Sequence, residues 1–211
     1  MDMDYELSDT PEQWPIEATE QLAKGHITAY VRDRVKMIDG TVANREYTRH
    51  PGAVAVLVVD EQERVLTLRQ YRHPVRLVMV ELPAGLLDKP GEHPLEAAQR
   101  ELLEEAHLVA EDWRVLIDYY NSAGSTDEAL RVFTARGAQA AEGEQFFREG
   151  EEAGIVTGWV PRQELLAAVL AGRIGTASVV ASICALTVAL DSPAGWDGLR
   201  PADAPWLARP F

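Results

Sequence analysis

Residues Gly85–Leu108 read GLLDKPGEHPLEAAQRELLEEAHL, and the second half of this stretch carries an arginine followed by three glutamates at helical spacing. Glu101, Glu104 and Glu105 stand at i, i+3 and i+4, so on an α-helix their carboxylates project from one face. At about 100° per residue they span an arc of about 100°, while Leu95, Leu102 and Ala106 form a separate apolar stripe that can face a core. Like charges so placed repel by a few tenths of a kcal/mol per pair, a cost that a bound cation reverses. Clustered glutamates also occur as a plain solvated face, so the surroundings have to separate the two readings. Leu82-Pro83-Ala84-Gly85 and Lys89-Pro90-Gly91 carry turn chemistry, and His93-Pro94 predicts a helix start with proline near the first helical position.

Taken together, the stretch resembles the Nudix box: Gly, five residues, Glu, seven residues, then Arg-Glu-apolar-x-Glu-Glu-x-Gly-apolar. Gly85, Glu92, Arg100, Glu101, Leu102, Glu104, Glu105 and Leu108 match it. Six residues instead of five separate Gly85 from Glu92, and His107 stands where the family has its second glycine. The extra residue falls in a loop, where added length is tolerated cheaply. The glycine position predicts a left-handed helix end, where a non-glycine residue costs on the order of 1 kcal/mol and His is among the better tolerated. Neither departure removes a carboxylate.

A chain of 211 residues with 46% hydrophobic content forms one ordinary domain, or one with a small appendage, around a sizeable core. The single Cys184 leaves no intramolecular disulfide and fits a reducing cytoplasm. The acidic opening MDMDYELSDT is not a secretory leader, and the apolar run Ala177–Leu190 is too short to span a bilayer. A net charge of −14 disfavours a nucleic-acid partner. Lys24–Arg76 is locally basic, with ten Lys or Arg against six Asp or Glu; this is either a place for an anionic substrate or ordinary surface arginines.

Along the chain, residues 1 to about 20 are acidic with Pro11 and Pro15 and read as a loose arm or a partly ordered segment. Residues 26–48 alternate polar and apolar around a turn at Asp39-Gly40 and read as short antiparallel strands. Such strands bury little by themselves, so they are expected to pack on the main domain or on a second subunit. Ala53–Val59 is continuously apolar and reads as a buried strand, with Val65–Gln70 as its return partner across Asp60-Glu61-Gln62. Leu77–Leu82, Trp113–Tyr120, Ala129–Ala135 and Gly158–Val160 are further strands; Pro161–Leu170 and Ala177–Leu190 are helices. This order predicts an α+β or α/β sandwich. The resemblance implies the α/β/α sandwich of the Nudix fold over residues 50–211, with residues 1–49 as an arm and a small antiparallel β extension.

Clustered oxygen donors select a hard cation, Mg2+ or Mn2+, and His26, His50, His73, His93 and His107 have no spacing that competes for zinc. Carboxylates with divalent cations suit attack of water on a phosphoanhydride. By resemblance, Glu101 and Glu105 are principal metal ligands together with the Ala84 carbonyl. Glu104 is a ligand or a supporting catalytic group, and Arg100 orients the box glutamates. The loop before Gly158-Trp159 is expected to carry a catalytic base, Glu152 or next Glu151; the other reading of this glutamate-rich segment is an acidic loop that only solubilises.

The N-terminal strands, the Gln70-Tyr71-Arg72-His73 tetrad before Glu81-Leu82-Pro83-Ala84-Gly85, and the Ser122–Glu128 loop resemble the ADP-ribose pyrophosphatase branch. That resemblance implies a homodimer and a nucleoside diphosphate sugar as substrate. Tyr71 offers a stacking face and Arg72 or Arg76 charge-assisted bonds to a diphosphate, with Glu81, Asp127 and Glu128 as further substrate-binding candidates. The expected reaction is Mg2+-dependent hydrolysis of ADP-ribose to AMP and ribose 5-phosphate. A pyrophosphatase for another sugar nucleotide such as GDP-mannose, and a non-catalytic ligand-sensing Nudix domain, are the alternatives; the latter has no need to keep Glu101, Glu104 and Glu105.

Overall fold

The computed structural model describes residues 7–143 and 154–208. They form two compact units: the described part of Met1–His50 together with Gly124–Asp127, and Pro51–Ala123 together with the described part of Glu128–Phe211.

The first unit is an antiparallel sheet of β1 (Ile16–Lys24), β2 (Ala29–Lys36) and β3 (Val42–Arg49), in that order. The β2–β3 turn follows the expected chemistry: Gly40 adopts φ 83°, and the Asp39 carboxylate accepts the Thr41 N–H at 2.9 Å. Of the acidic N-terminal segment, residues from Ile16 onward are ordered as part of β1. IEATEQLAK has no period-2 apolar pattern and is exposed almost throughout, so its order comes from pairing with β2 and from cross-strand bonds such as Arg32 to Glu20. Gly124–Asp127 joins this sheet through Thr48, whose N–H donates to Ser125 O at 2.9 Å and whose carbonyl accepts from the Thr126 hydroxyl at 3.0 Å.

The second unit is organised by β4 (Ala53–Val58), buried at every residue. Alternate side chains of a strand point to opposite faces, and here each face has its own core. Val54, Val56 and Val58 pack with Ala98 and Leu102 of α1 (Pro94–Ala106) and with Phe133. Ala53, Ala55, Leu57 and Val59 pack with Leu165 of α2 (Arg162–Leu170) and with Val179, Ile183 and Leu186 of α3 (Ala177–Leu190). Helices thus cover both faces, and the continuous apolar run is explained by burial on both sides.

The remaining strands are β5 (Arg64–Arg72), β6 (Leu77–Glu81), β7 (Ala84–Leu86), β8 (Leu108–Val109), β9 (Asp112–Tyr120), β10 (Ala129–Arg136), β11 (Gln139–Ala140), β12 (Val156–Pro161) and β13 (Arg200–Pro201). They make a five-stranded sheet in the order β13-β9-β10-β4-β7, in which β4 and β10 run parallel, a three-stranded sheet β12-β5-β6 and a two-stranded β11-β8. The expected β4–β5 hairpin is corrected: only Val59 and Val65 bridge, and the two strands then diverge. Beyond that bridge β4 takes β10 and β7 as neighbours, and β5 takes β6 and β12.

The C-terminal segment closes the α1-side core. Arg131, 2% exposed, is bidentate to Asp118 at 2.7 and 2.9 Å, donates to the carbonyls of Ala204 and Pro205, and lies 5.0 Å from the Trp206 ring centre. A buried guanidinium is tolerated because its donors meet acceptors and its faces meet aromatic rings.

Candidate active site

Helix α1 starts and stops on local chemistry. His93 caps it, its ring nitrogen accepting the Leu95 N–H at 3.3 Å, while the Glu96 carboxylate accepts the His93 N–H at 3.0 Å and Pro94 fills the first helical position. His107 ends it in the left-handed conformation, φ 56° and ψ 39°, its N–H bonding back to the Leu103 carbonyl at 2.9 Å. Glu101, Glu104 and Glu105 therefore lie in the last two turns, at the negative end of the helix dipole, with no basic residue in the last turn. Carboxylates there are disfavoured by the helix field as well as by one another.

Arg100 offsets part of that charge. Its Nε and Nη2 grip Glu92 at 2.8 and 3.0 Å, and its Nη1 bonds Glu101 at 2.5 Å and Glu104 at 3.0 Å. Hydrogen bonding to Glu92, outweighing burial, pushes the Arg100 pKa above its ordinary range, so the guanidinium stays charged; the same bond holds the Glu92 carboxyl below the usual carboxylate range.

The loop before the helix is pressed against these carboxylates. Glu105, 7% exposed, accepts the Ala84 N–H at 2.9 Å. Ala84–Leu86 is strand β7, paired with β4 through Ala84–Ala55, Gly85–Val54 and Leu86–Ala53, and the Pro83 carbonyl accepts the Val56 N–H at 2.8 Å. A Cβ at Gly85 would fall on the Glu101 carboxylate, so the close approach requires glycine. The donors gathered here are all oxygens, which suits a hard divalent cation. Among the described residues no three His, Cys, Asp or Glu side chains converge as they stand on one metal position, because Arg100 draws Glu101 and Glu104 to itself while Glu105 is turned to Ala84.

Strand β6 ends at Glu81, three residues before Ala84 of this loop, and the β5–β6 hairpin carries most of the substrate-side candidates. Arg72 Nε lies 2.8 and 3.1 Å from the Glu81 carboxylate oxygens, and Nη2 bonds Glu81 at 2.7 Å. Tyr71 is exposed, with its hydroxyl 3.4 Å from the His73 ring nitrogen. Arg76 is exposed at the turn with φ 57°, its N–H bonded to the Arg72 carbonyl at 2.8 Å. The Asp127 carboxylate accepts the His50 N–H at 2.7 Å within the first unit, whereas Glu128 belongs to the second. Burial, with a smaller contribution from Glu128, pushes the Tyr119 hydroxyl up to about 12. Glu151 and Glu152 lie outside the described residues.

A NUDIX domain is matched over residues 48–181. The chain belongs to the Nudix family. This Nudix protein is 37% identical to an ADP-ribose pyrophosphatase of Mycobacterium tuberculosis over 193 residues, covering 92% of this chain and 91% of the relative. It is 38% identical to an ADP-ribose pyrophosphatase of Bacillus subtilis over 135 residues, 64% of this chain and 72% of that one. A crystal structure of an ADP compounds hydrolase superposes with a TM-score of 0.69 at 19% identity, covering 86% of this chain and 96% of its own, which establishes the shared fold.

Within the Nudix box, the turn before the helix contains Gly91 at φ 79°, and His107 takes the left-handed conformation at φ 56°. Arg100, expected to orient the box glutamates, grips Glu92 with two bonds. One relationship escaped the sequence. Arg72 and Glu81, each a substrate-contact candidate by sequence, are bonded to each other; opposite charges on adjacent strands are the signal for it.

Proposed function

We propose that this Nudix hydrolase cleaves the diphosphate of ADP-ribose, giving AMP and ribose 5-phosphate, with Mg2+ as cofactor and Mn2+ as a substitute. The observation that carries the reaction type is the carboxylate-bearing end of α1 held against the Ala84–Gly85 loop, with Glu105 on the Ala84 N–H and Glu101 over Gly85. The substrate follows from the ADP-ribose pyrophosphatases that this chain resembles over most of its length.

Glu101 and Glu105 are assigned as metal ligands with the Ala84 carbonyl, and Glu104, with its side chain 37% exposed, as a further ligand or support. When bound, the cation neutralises phosphate oxygens and acidifies water. Arg100 keeps Glu101 and Glu104 oriented through its hydrogen bonds. Glu152, with Glu151 second, is assigned as the base that takes a proton from the attacking water. Tyr71 supplies a stacking surface, Arg72 and Arg76 bind the diphosphate, and Glu81, Asp127 and Glu128 belong to the substrate side. The N-terminal strands of residues 1–49 are assigned to a homodimer interface. Among the described residues no helix is long and apolar enough to cross a membrane, and the lone Cys184 favours the cytoplasm.

Incubation with ADP-ribose and Mg2+, followed by chromatography for AMP, tests the assignment. A panel including GDP-mannose separates it from a pyrophosphatase for another sugar nucleotide, and absence of turnover on the whole panel rejects it.

A further inference from the structure

We propose that Glu81 is a positioning residue: it aims the Arg72 guanidinium at the diphosphate and does not itself touch substrate. The proposal deepens the function proposed above and rests on it.

Arg72 ends β5 opposite Leu77, whereas Glu81 ends β6 opposite Leu68. Side chains at Leu68, Gln70 and Arg72 share one face of β5 with Leu77, Met79 and Glu81 on β6. The bidentate bond therefore draws the guanidinium back along the strand pair, away from the hairpin tip and toward the end that leads into Ala84. Glu81 is three residues before Ala84, whose N–H holds Glu105, and the intervening Pro83 is tied to β4 by the Val56 N–H. One short, anchored segment thus sets the distance between a phosphate-binding cation and the metal-binding carboxylates.

The charges argue for the same division of roles. The Glu81 side chain is 9% exposed and that of Arg72 is 41% exposed, so the arginine is the member that solvent and ligand reach. A carboxylate turned toward a diphosphate would repel it, while a carboxylate behind a guanidinium fixes the planar fork without facing the anion. Both oxygens of the buried Glu81 carboxylate accept from Arg72, so its hydrogen-bonding capacity is met inside the pair.

A double-mutant cycle tests this. Wild type, Glu81→Gln, Arg72→Ala and the double variant are compared for kcat and KM on ADP-ribose, for Kd of ADP-ribose by calorimetry with Ca2+ in place of Mg2+, and for melting temperature. Each single change is expected to raise KM and Kd about ten- to a hundredfold, as loss of alignment does, with kcat within about twofold of wild type. The double variant is expected to be no worse than Arg72→Ala, because the two residues act as one unit. Additive losses, or Glu81→Gln with a wild-type KM, overturn the proposal. Arg72→Lys covers the case in which Glu81→Gln does not fold: it keeps the charge but not the fork, should match the expected Glu81→Gln defect, and overturns the proposal if its KM is unchanged. If wild type releases no AMP, the function above fails, and the same cycle on the Kd of ADP decides the pairing independently.

Discussion

The Glu105 carboxylate holds the Ala84 N–H at 2.9 Å across 21 residues of sequence. That bond makes the end of α1 and the loop before it one mechanical piece, and it places the most buried of the three box glutamates at the loop. Glu105→Gln keeps an oxygen for Ala84 and removes the negative donor. AMP release should fall about a thousandfold or more while the melting temperature stays near that of wild type. An unchanged rate would remove Glu105 from the site.

Gly85→Ala tests the contact between loop and helix. The new Cβ meets Oε1, Cδ and Cγ of Glu101, so that side chain has to move aside while the chain should still fold. Displacing that carboxylate should raise the Mg2+ concentration for half-maximal rate about ten- to a hundredfold. A variant with wild-type Mg2+ dependence would show that Glu101 is not needed where it stands.

Removing Arg100 should be felt most at neutral pH. Its hydrogen bonds hold the Glu92 pKa below the usual range, so this contribution to stability is present above the unfolded glutamate value of about 4.3 and is lost as pH falls through the lower folded value. The melting-temperature gap between wild type and Arg100→Ala should therefore be widest above about pH 5 and narrow on further acidification. A gap that is constant from pH 7 to pH 3 would contradict the pairing.

His107→Gly should stabilise. His107 holds φ 56° and its Nδ1 is buried with no hydrogen-bond partner among the described residues. Glycine relieves left-handed strain of about 1 kcal/mol, which for a domain of this size raises the melting temperature by about 2–4 °C. Calorimetric scans of the two proteins decide it, and a lower midpoint for the glycine variant would mean that packing of the imidazole outweighs the strain.

Local signals predicted local structure. Pro94 at the helix start, a left-handed end at His107, the single carboxylate face of α1 and the bounds of Ala177–Leu190 all follow from spacing, capping and turn chemistry that reside in neighbouring residues. The strand Ile16–Lys24 was not legible, because its side chains are polar and its order is borrowed from β2. Nor was the role of Trp206 and Arg131, which meet across a gap of about seventy residues that no short-range periodicity reports.

By itself, then, the sequence of Gly85–Leu108 determined the family resemblance, the helix and the acidic face, since each depends on residues within a few turns of one another. The tertiary structure alone decided that β4 separates two cores and that Glu105 meets Ala84. It also decided that Arg72 and Glu81 are one unit. Those relationships depend on where strands lie side by side and which loop is pressed against which helix, and chain packing sets both.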